Sequence, residues 1–306
     1  MNGPSVYLFG QMEVVFPDGR VASFRSSKAK LLLAYLLLHR RPHHREALAS
    51  LFWPESTTAQ SRKALRQTLW QLRTALGDES KEYPLLQVDA EKVGIEPKAE
   101  FWLDVNDFEQ AYRSVRRVSG SELSAEQAQR LHEAARLYRG DLCEGCYEDW
   151  CLFEQERLRN IYLEMLDKLI DYCAGQSYYE EACECGATIL RFDPARECTH
   201  RRLMRLHYLA GRRTAALRQY ELCVRILDVE LGVQPAESTR RLYEQIRSGR
   251  APLPVWNRDE EGATSGAKPG FLSTVAAFQT LRQILGRLQE ELLEEGASAI
   301  EGHLST

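Results

Sequence analysis

Two stretches of this chain hold residues whose types and spacing could do chemistry. The first is "SRKALRQTLWQLR", residues 61–73, in which Arg62, Lys63, Arg66, Gln67, Trp70 and Arg73 interleave with leucines. Arg and Gln end in forked donors and acceptors that match guanine and adenine edges in a major groove, so Arg62, Arg66, Gln67 and Arg73 are candidates for base readout. Lys63 is a candidate for a phosphate contact, and Trp70 for a sugar or a thymine methyl. The second stretch is "CEGCYEDWC", Cys143 to Cys151, whose C-x2-C opening supplies two of the four ligands of a structural zinc site. Cys143, Cys146, Cys151 and the more distant Cys173 form a metal or redox set only if the fold makes them converge. Otherwise they act as small, readily buried hydrophobes. Cys183 and Cys185 fall on different faces of a helix, which argues against joint ligation.

The cationic stretch needs an element to present it, and the sequence supplies one. Thr57 with Gln60 forms a capping box, and Gly77 suits the C-terminal stop. Leu65, Leu69, Leu72 and Leu76 fall on one stripe that packs inward, turning the basic side chains outward. No acidic residue stands between Arg62 and Gly77, whereas a helix that is merely solvated usually mixes signs.

Two further helices precede it. One is "KAKLLLAYLLLHR", capped by Ser26 or Ser27, ending before Pro42 and buried on most sides. The other is "REALASLFW", opened by His43 and His44 and ended by Pro54. Ahead of both, "VYLFGQMEVVF" and "GRVASFR" read as strands joined through Pro17-Asp18-Gly19, a hairpin turn signal. Behind the cationic helix, "PLLQVDAEKVGIEP" reads as a hairpin with its tip at Asp89 to Lys92, and "AEFWLDV" as a third strand. Lys28, Arg45 and Lys92 join Lys63 as phosphate candidates, with Lys98 beside the hairpin. Residues 1–77 hold eleven Lys/Arg against four Asp/Glu, a charge of +7, while the whole chain carries −4. A basic head on an acidic body points to a polyanionic partner for the head alone.

From Asp104 the chain reads as helical. "DVNDFEQAYRSVRRV" and "SAEQAQRLHEAARLYRG" are amphipathic, the second with a Ser124/Gln127 capping box and Gly140 as its stop. The long "WCLFEQERLRNIYLEMLDKLIDYCAG" follows. Ala182 and Ala216 then sit at equivalent places of two helical pairs 34 residues apart, with Gly175 and Gly211 closing the preceding helices. That period is the tetratricopeptide (TPR) one, with Pro194 supplying the terminal proline in the first copy and Asp228 standing there in the second.

The order of strands, three helices and hairpin resembles the winged helices of OmpR-type response regulators over residues 6–105. That resemblance implies that Thr58–Leu76 enters a major groove, that the hairpin is a wing touching a neighbouring groove, and that the loop "WPESTT" can face RNA polymerase. "LYRGDL", "EDW", "ERLR", "RLMRLHYLAGRRTAALRQYE" and "ELGVQP" together look like the bacterial transcriptional activator domain. The pair of domains is the architecture of the antibiotic regulatory protein (SARP) activators, and the resemblance runs from about Val6 to Ile246. It implies an activator that binds repeats in double-stranded promoter DNA and recruits RNA polymerase, with a homodimer on DNA left open. Larger relatives append an ATPase or a phosphopeptide-binding module, and this chain has no GxxxxGK[ST] phosphate loop.

The expected fold is therefore mainly α. Residues 1–105 form an N-terminal winged helix-turn-helix (α+β), and 106–248 a TPR-like all-helical domain. Residues 249–270 form a Gly/Pro-rich linker, and 271–306 a C-terminal amphipathic helix with Phe278, Leu281, Leu285, Leu288 and Leu292 on one seam. No run approaches the roughly eighteen apolar residues of a membrane span, and no signal-peptide layout opens the chain, which leads to a cytoplasmic expectation. Eight cysteines are then expected to be reduced. No Ser-His-Asp or paired-carboxylate arrangement stands out, so neither an enzyme nor a cofactor is expected. A second reading keeps the helical body as a partner-binding or ligand- and metal-sensing repeat.

Overall fold

The computed structural model describes residues 3–77 and 85–249. At the N-terminus, β1 (Ser5–Tyr7) and β2 (Glu13–Val15) pair antiparallel, with Val6 opposite Val14. This corrects the expected hairpin. The run "VYLFGQMEVVF" contains its own reversal, made at Gly10 with φ +75°, a region open to glycine at little cost. "GRVASFR" adds only a single bridge, Val21 to Val15. The Pro17-Asp18-Gly19 turn does form, its Gly19 N–H donating to the Phe16 carbonyl at 2.9 Å.

Three helices follow: α1 (Ser27–Leu38), α2 (Arg45–Phe52) and α3 (Thr58–Leu76). Leu32, Leu33, Leu36 and Leu37 of α1 are buried, as expected of a helix leucine-lined on most sides. A short strand β3 (His43–His44) separates α1 from α2 and pairs with β5 (Lys92–Ile95), which also pairs with β4 (Leu86–Val88). The hairpin expected after α3 is thus the β4–β5 pair, closed by Asp89 N–H on the Lys92 carbonyl at 2.8 Å. The next strand, β6 (Trp102–Leu103), leaves it and lies parallel to β1 in the first sheet.

The rest is helical. α4 (Asp104–Val115), a 3-10 turn at Gly120–Glu122, and α5 (Ala125–Ala135) lead to the 27-residue α6 (Asp149–Gly175). α7 (Tyr179–Phe192), α8 (Glu197–Leu209), α9 (Arg213–Leu231) and α10 (Glu237–Ser248) then pack successively on one another. The protein is mostly helical, with small N-terminal sheets and a repeat-like helical body. Ala182 and Ala216 are both fully buried where helices cross. The same tight approach explains Gly186, where a Cβ would stand 2.7 Å from a Leu203 methyl. Gly211 closes its helix with φ +73°, but at the equivalent place before α7 the left-handed residue is Ser177, not Gly175. α5 likewise ends at Ala135, short of Gly140.

Gly140 has a different job. It faces Gly10, with only 3.3 Å between its would-be Cβ and the Gly10 Cα, so body and head backbones meet there without side chains between them. Gly10 N–H donates to the Asp141 carbonyl, Cys143 N–H to Leu8 and Glu144 N–H to Gly10, all within 2.8–2.9 Å. Leu142 makes a single antiparallel bridge with Phe9, and the chain turns at Cys143, φ +47°, against the head. Phe9 packs edge-on against Phe108 and beside Tyr138, while Trp150 of α6 meets Tyr35 of α1 and Phe52 of α2. Asp104, fully buried, accepts the N–H groups of Leu8, Phe9 and Val105. Burial pushes its carboxyl up while those backbone donors hold it down. The described residues accordingly form one compact unit. Among the described residues no helix is long and apolar enough to cross a membrane. The expected linker, beyond its first residue 249, and the expected C-terminal helix over 271–306 lie outside the described residues.

Candidate nucleic-acid interface

α3 is built as its local sequence dictates. The Thr57 hydroxyl accepts the Gln60 N–H while the Gln60 side chain accepts the Thr57 N–H, so both halves of the capping box are present. Gly77 closes the helix in the left-handed conformation, φ +70°. Leu65, Leu69, Leu72 and Leu76 are buried against α1 and α2, joined by Ser61 and Thr68. The opposite side carries Arg62, Lys63, Arg66, Gln67, Trp70 and Arg73, all exposed. Trp70 keeps 57% of its surface open.

The fold brings other residues to this helix. An open cleft beside it is lined by His44, Arg45, Glu46, Arg62, Arg66 and Glu91, so the start of α2 and the β4–β5 tip border the N-terminal half of α3. Arg45 is half-buried and its guanidinium donates to the Asp89 carbonyl at 3.1 Å, tying α2 to the hairpin. Lys92 is exposed directly across from His44 in the β3–β5 ladder. His43 is buried, and its Nε2 lies 3.0 Å from the His39 carbonyl, which gives it a structural partner.

Two placements differ from expectation. Lys28 is half-buried, and its ammonium donates to the Phe52 carbonyl at 2.9 Å and pairs with Glu148. It is therefore a tie between α2 and the body, removed from the exposed cationic set. Arg62 pairs with Glu46 of α2. The absence of acidic residues within α3 does not keep acid away from it, because Glu46 arrives from the neighbouring helix.

The fold also places the cysteines. Cys143, Cys146 and Cys151 are buried in the joint between head and body, where Gln155 Nε2 donates to the Leu142 carbonyl at 2.8 Å and to the Cys146 carbonyl at 3.3 Å. The neighbouring Cys143 thiol, with burial, pushes Cys151 up to about 12, so it stays a neutral thiol. Cys173 stands 22 residues further along α6, about 33 Å at 1.5 Å per residue, and does not join them. Among the described residues no group of three His, Cys, Asp or Glu side chains is placed to hold a metal ion. Glu46 and the head-binding role of residues 141–144 were missed from sequence, since each depends on a partner far along the chain.

Comparison with known proteins bears on the body most directly. Residues 103–247 match the model of the family described as bacterial transcriptional activator domain. The chain is similar to the regulatory protein AfsR of Streptomyces coelicolor, 24% identical over 290 residues, which are 94% of this chain but 29% of that protein. Among solved structures it resembles that of Mycobacterium tuberculosis EmbR in complex with a low-affinity phosphopeptide, with a TM-score of 0.57 and 21% identity. The match covers 82% of this chain and 66% of that one. The chain thus spans under a third of the curated relative and under two thirds of the solved one. The second likeness is one of fold.

Proposed function

We propose that this chain, whose body carries a bacterial transcriptional activator domain, is a sequence-specific DNA-binding regulator of the SARP type that activates transcription. In this reading the head is a winged helix-turn-helix, α3 lies in a major groove, and the β4–β5 hairpin is the wing beside it. The observation that carries it is the exposed side of α3, where six Arg, Lys, Gln and Trp side chains stand together on the third helix of a basic head. Arg66 and Gln67 are the central base readers, with Arg62 and Arg73 toward the ends. Lys63, Arg45 and Lys92 neutralise phosphates, and Trp70 contacts a sugar or a thymine methyl.

The regulatory likeness of the body to AfsR supports a role in which the helical array meets a protein partner. RNA polymerase is the partner we assign, with "WPESTT" before α3 as the head's share of that contact. A mobility-shift titration on the gene's own upstream duplex, run at two salt concentrations, tests the reading. Binding that falls steeply with salt is expected, because neutralised phosphates release counterions. Absent or salt-insensitive duplex binding would leave the body as a partner-binding repeat and remove the DNA role.

A further inference from the structure

The Arg62–Glu46 pair is an oddity on a surface meant for a polyanion. Glu46 stands in the first turn of α2, its side chain 72% exposed, and engages one terminal guanidinium nitrogen of Arg62, itself 55% exposed. Both line the cleft that also holds Arg45 and Arg66. A carboxylate here repels phosphate, so it weakens the sequence-independent attraction on which all duplex binding rests. As an exposed ion pair it adds little to folding. Its stabilising value to the free protein is therefore too small to explain its place in the cleft.

Geometry supplies a different use. Arginine reads guanine with two donors held in a fixed planar fork. A long flexible side chain must lose its rotamer freedom to do so, and a carboxylate that grips one nitrogen from the side has already restricted it. A guanidinium has two two-donor edges that share this nitrogen. A carboxylate that takes one of its two protons leaves the other edge, with the second proton, to a base. The same carboxylate also discourages that fork from swinging onto a nearby phosphate.

We propose that Glu46 is a positioning residue for Arg62, orienting it for base readout and excluding phosphate from it, so that it sets sequence discrimination at one base pair. This rests on the DNA-binding reading above. The test uses the full chain. Wild type, Glu46→Gln, Arg62→Ala and the double variant are each used to select from a randomised double-stranded 20-mer pool. Affinity is then measured for the wild-type-selected duplex and for unselected duplex.

Glu46→Gln is isosteric and exposed, and thermal melts check that it folds as wild type does. The ratio of selected to unselected affinity is expected to fall about fivefold in Glu46→Gln, mainly because unselected duplex binds more tightly, with information lost at a single position. In the Arg62→Ala background the same change is expected to leave the ratio unmoved, since Glu46 acts through Arg62. An unchanged ratio in Glu46→Gln, or an equal drop with and without Arg62, overturns the proposal while leaving DNA binding intact. Failure of the wild type to bind any duplex overturns the parent reading, and this one with it.

Discussion

At the level of single residues, burial separates side chains that can meet a partner from those that hold the fold. Arg66 is exposed mid-way along α3, and Arg66→Ala is expected to weaken binding to a selected duplex by about 1–3 kcal/mol and to relax its sequence choice. Lys28→Ala is the contrasting case. Its ammonium is engaged by Phe52 and Glu148, so it should lower the melting temperature and leave the salt slope of duplex binding nearly unchanged. A drop of about one in that slope would return Lys28 to the phosphate contacts.

His200 makes a pH prediction. It is fully buried, with Nε2 2.8 Å from the Pro194 carbonyl and Nδ1 2.7 Å from Gln219 Nε2. Burial lowers its proton affinity below the ordinary value of 6.5. The unfolded chain then binds the proton more readily, so stability is full above pH 6.5 and declines as pH falls below it toward the folded value. His39 and His207 shift the same way, again chiefly through burial. Urea unfolding at pH 7.5 and 5.5 should show the decline, and His200→Gln should reduce it.

Among elements, the contrast lies between what each helix settles for itself and what another must supply. α3 and α5 begin at complete capping boxes, and α3 ends at a left-handed glycine, all written within a few residues. The body array depends on contacts across elements. Asp167 of α6, nearly buried, accepts Arg196 Nη2 at 2.8 Å and Arg202 Nη1 at 2.7 Å, while Asp171 pairs with Arg202. The acids of α6 thereby hold α8 from a distance of about thirty residues. Asp167→Ala should destabilise the fold by about 3 kcal/mol in chemical denaturation, because two arginines lose a buried partner. A loss below 0.5 kcal/mol would mean that solvent already screens the network.

For the whole molecule, head and body share one core. Leu8 and Phe9 are closed off by residues 141–144, Phe108 and Tyr138, and Phe52 by Trp150. A fragment of residues 1–105 leaves those rings uncovered. It is expected to melt broadly or to aggregate, whereas the full chain loses its head and body signals together. A head fragment that unfolds sharply at the full chain's temperature would show that the shared core is dispensable.

The sequence alone determined the described helices, the capping boxes of α3 and α5, the leucine stripe of α3 and the 34-residue spacing of Ala182 and Ala216, because hydrogen bonding and burial periodicity act over a handful of neighbours. It placed the β4–β5 hairpin but read the first one out of register, since Phe9 and Gly10 take their backbone partners from residues 141–144. Only the tertiary structure decided which charges remain open. Lys28 meets a carboxylate 120 positions away and Arg62 one 16 positions away, and neither distance is written in local pattern. "CEGCYEDWC" became a joint for the same reason. Thiols pack wherever the fold leaves a small apolar space, and that space exists only once the head has closed on the body.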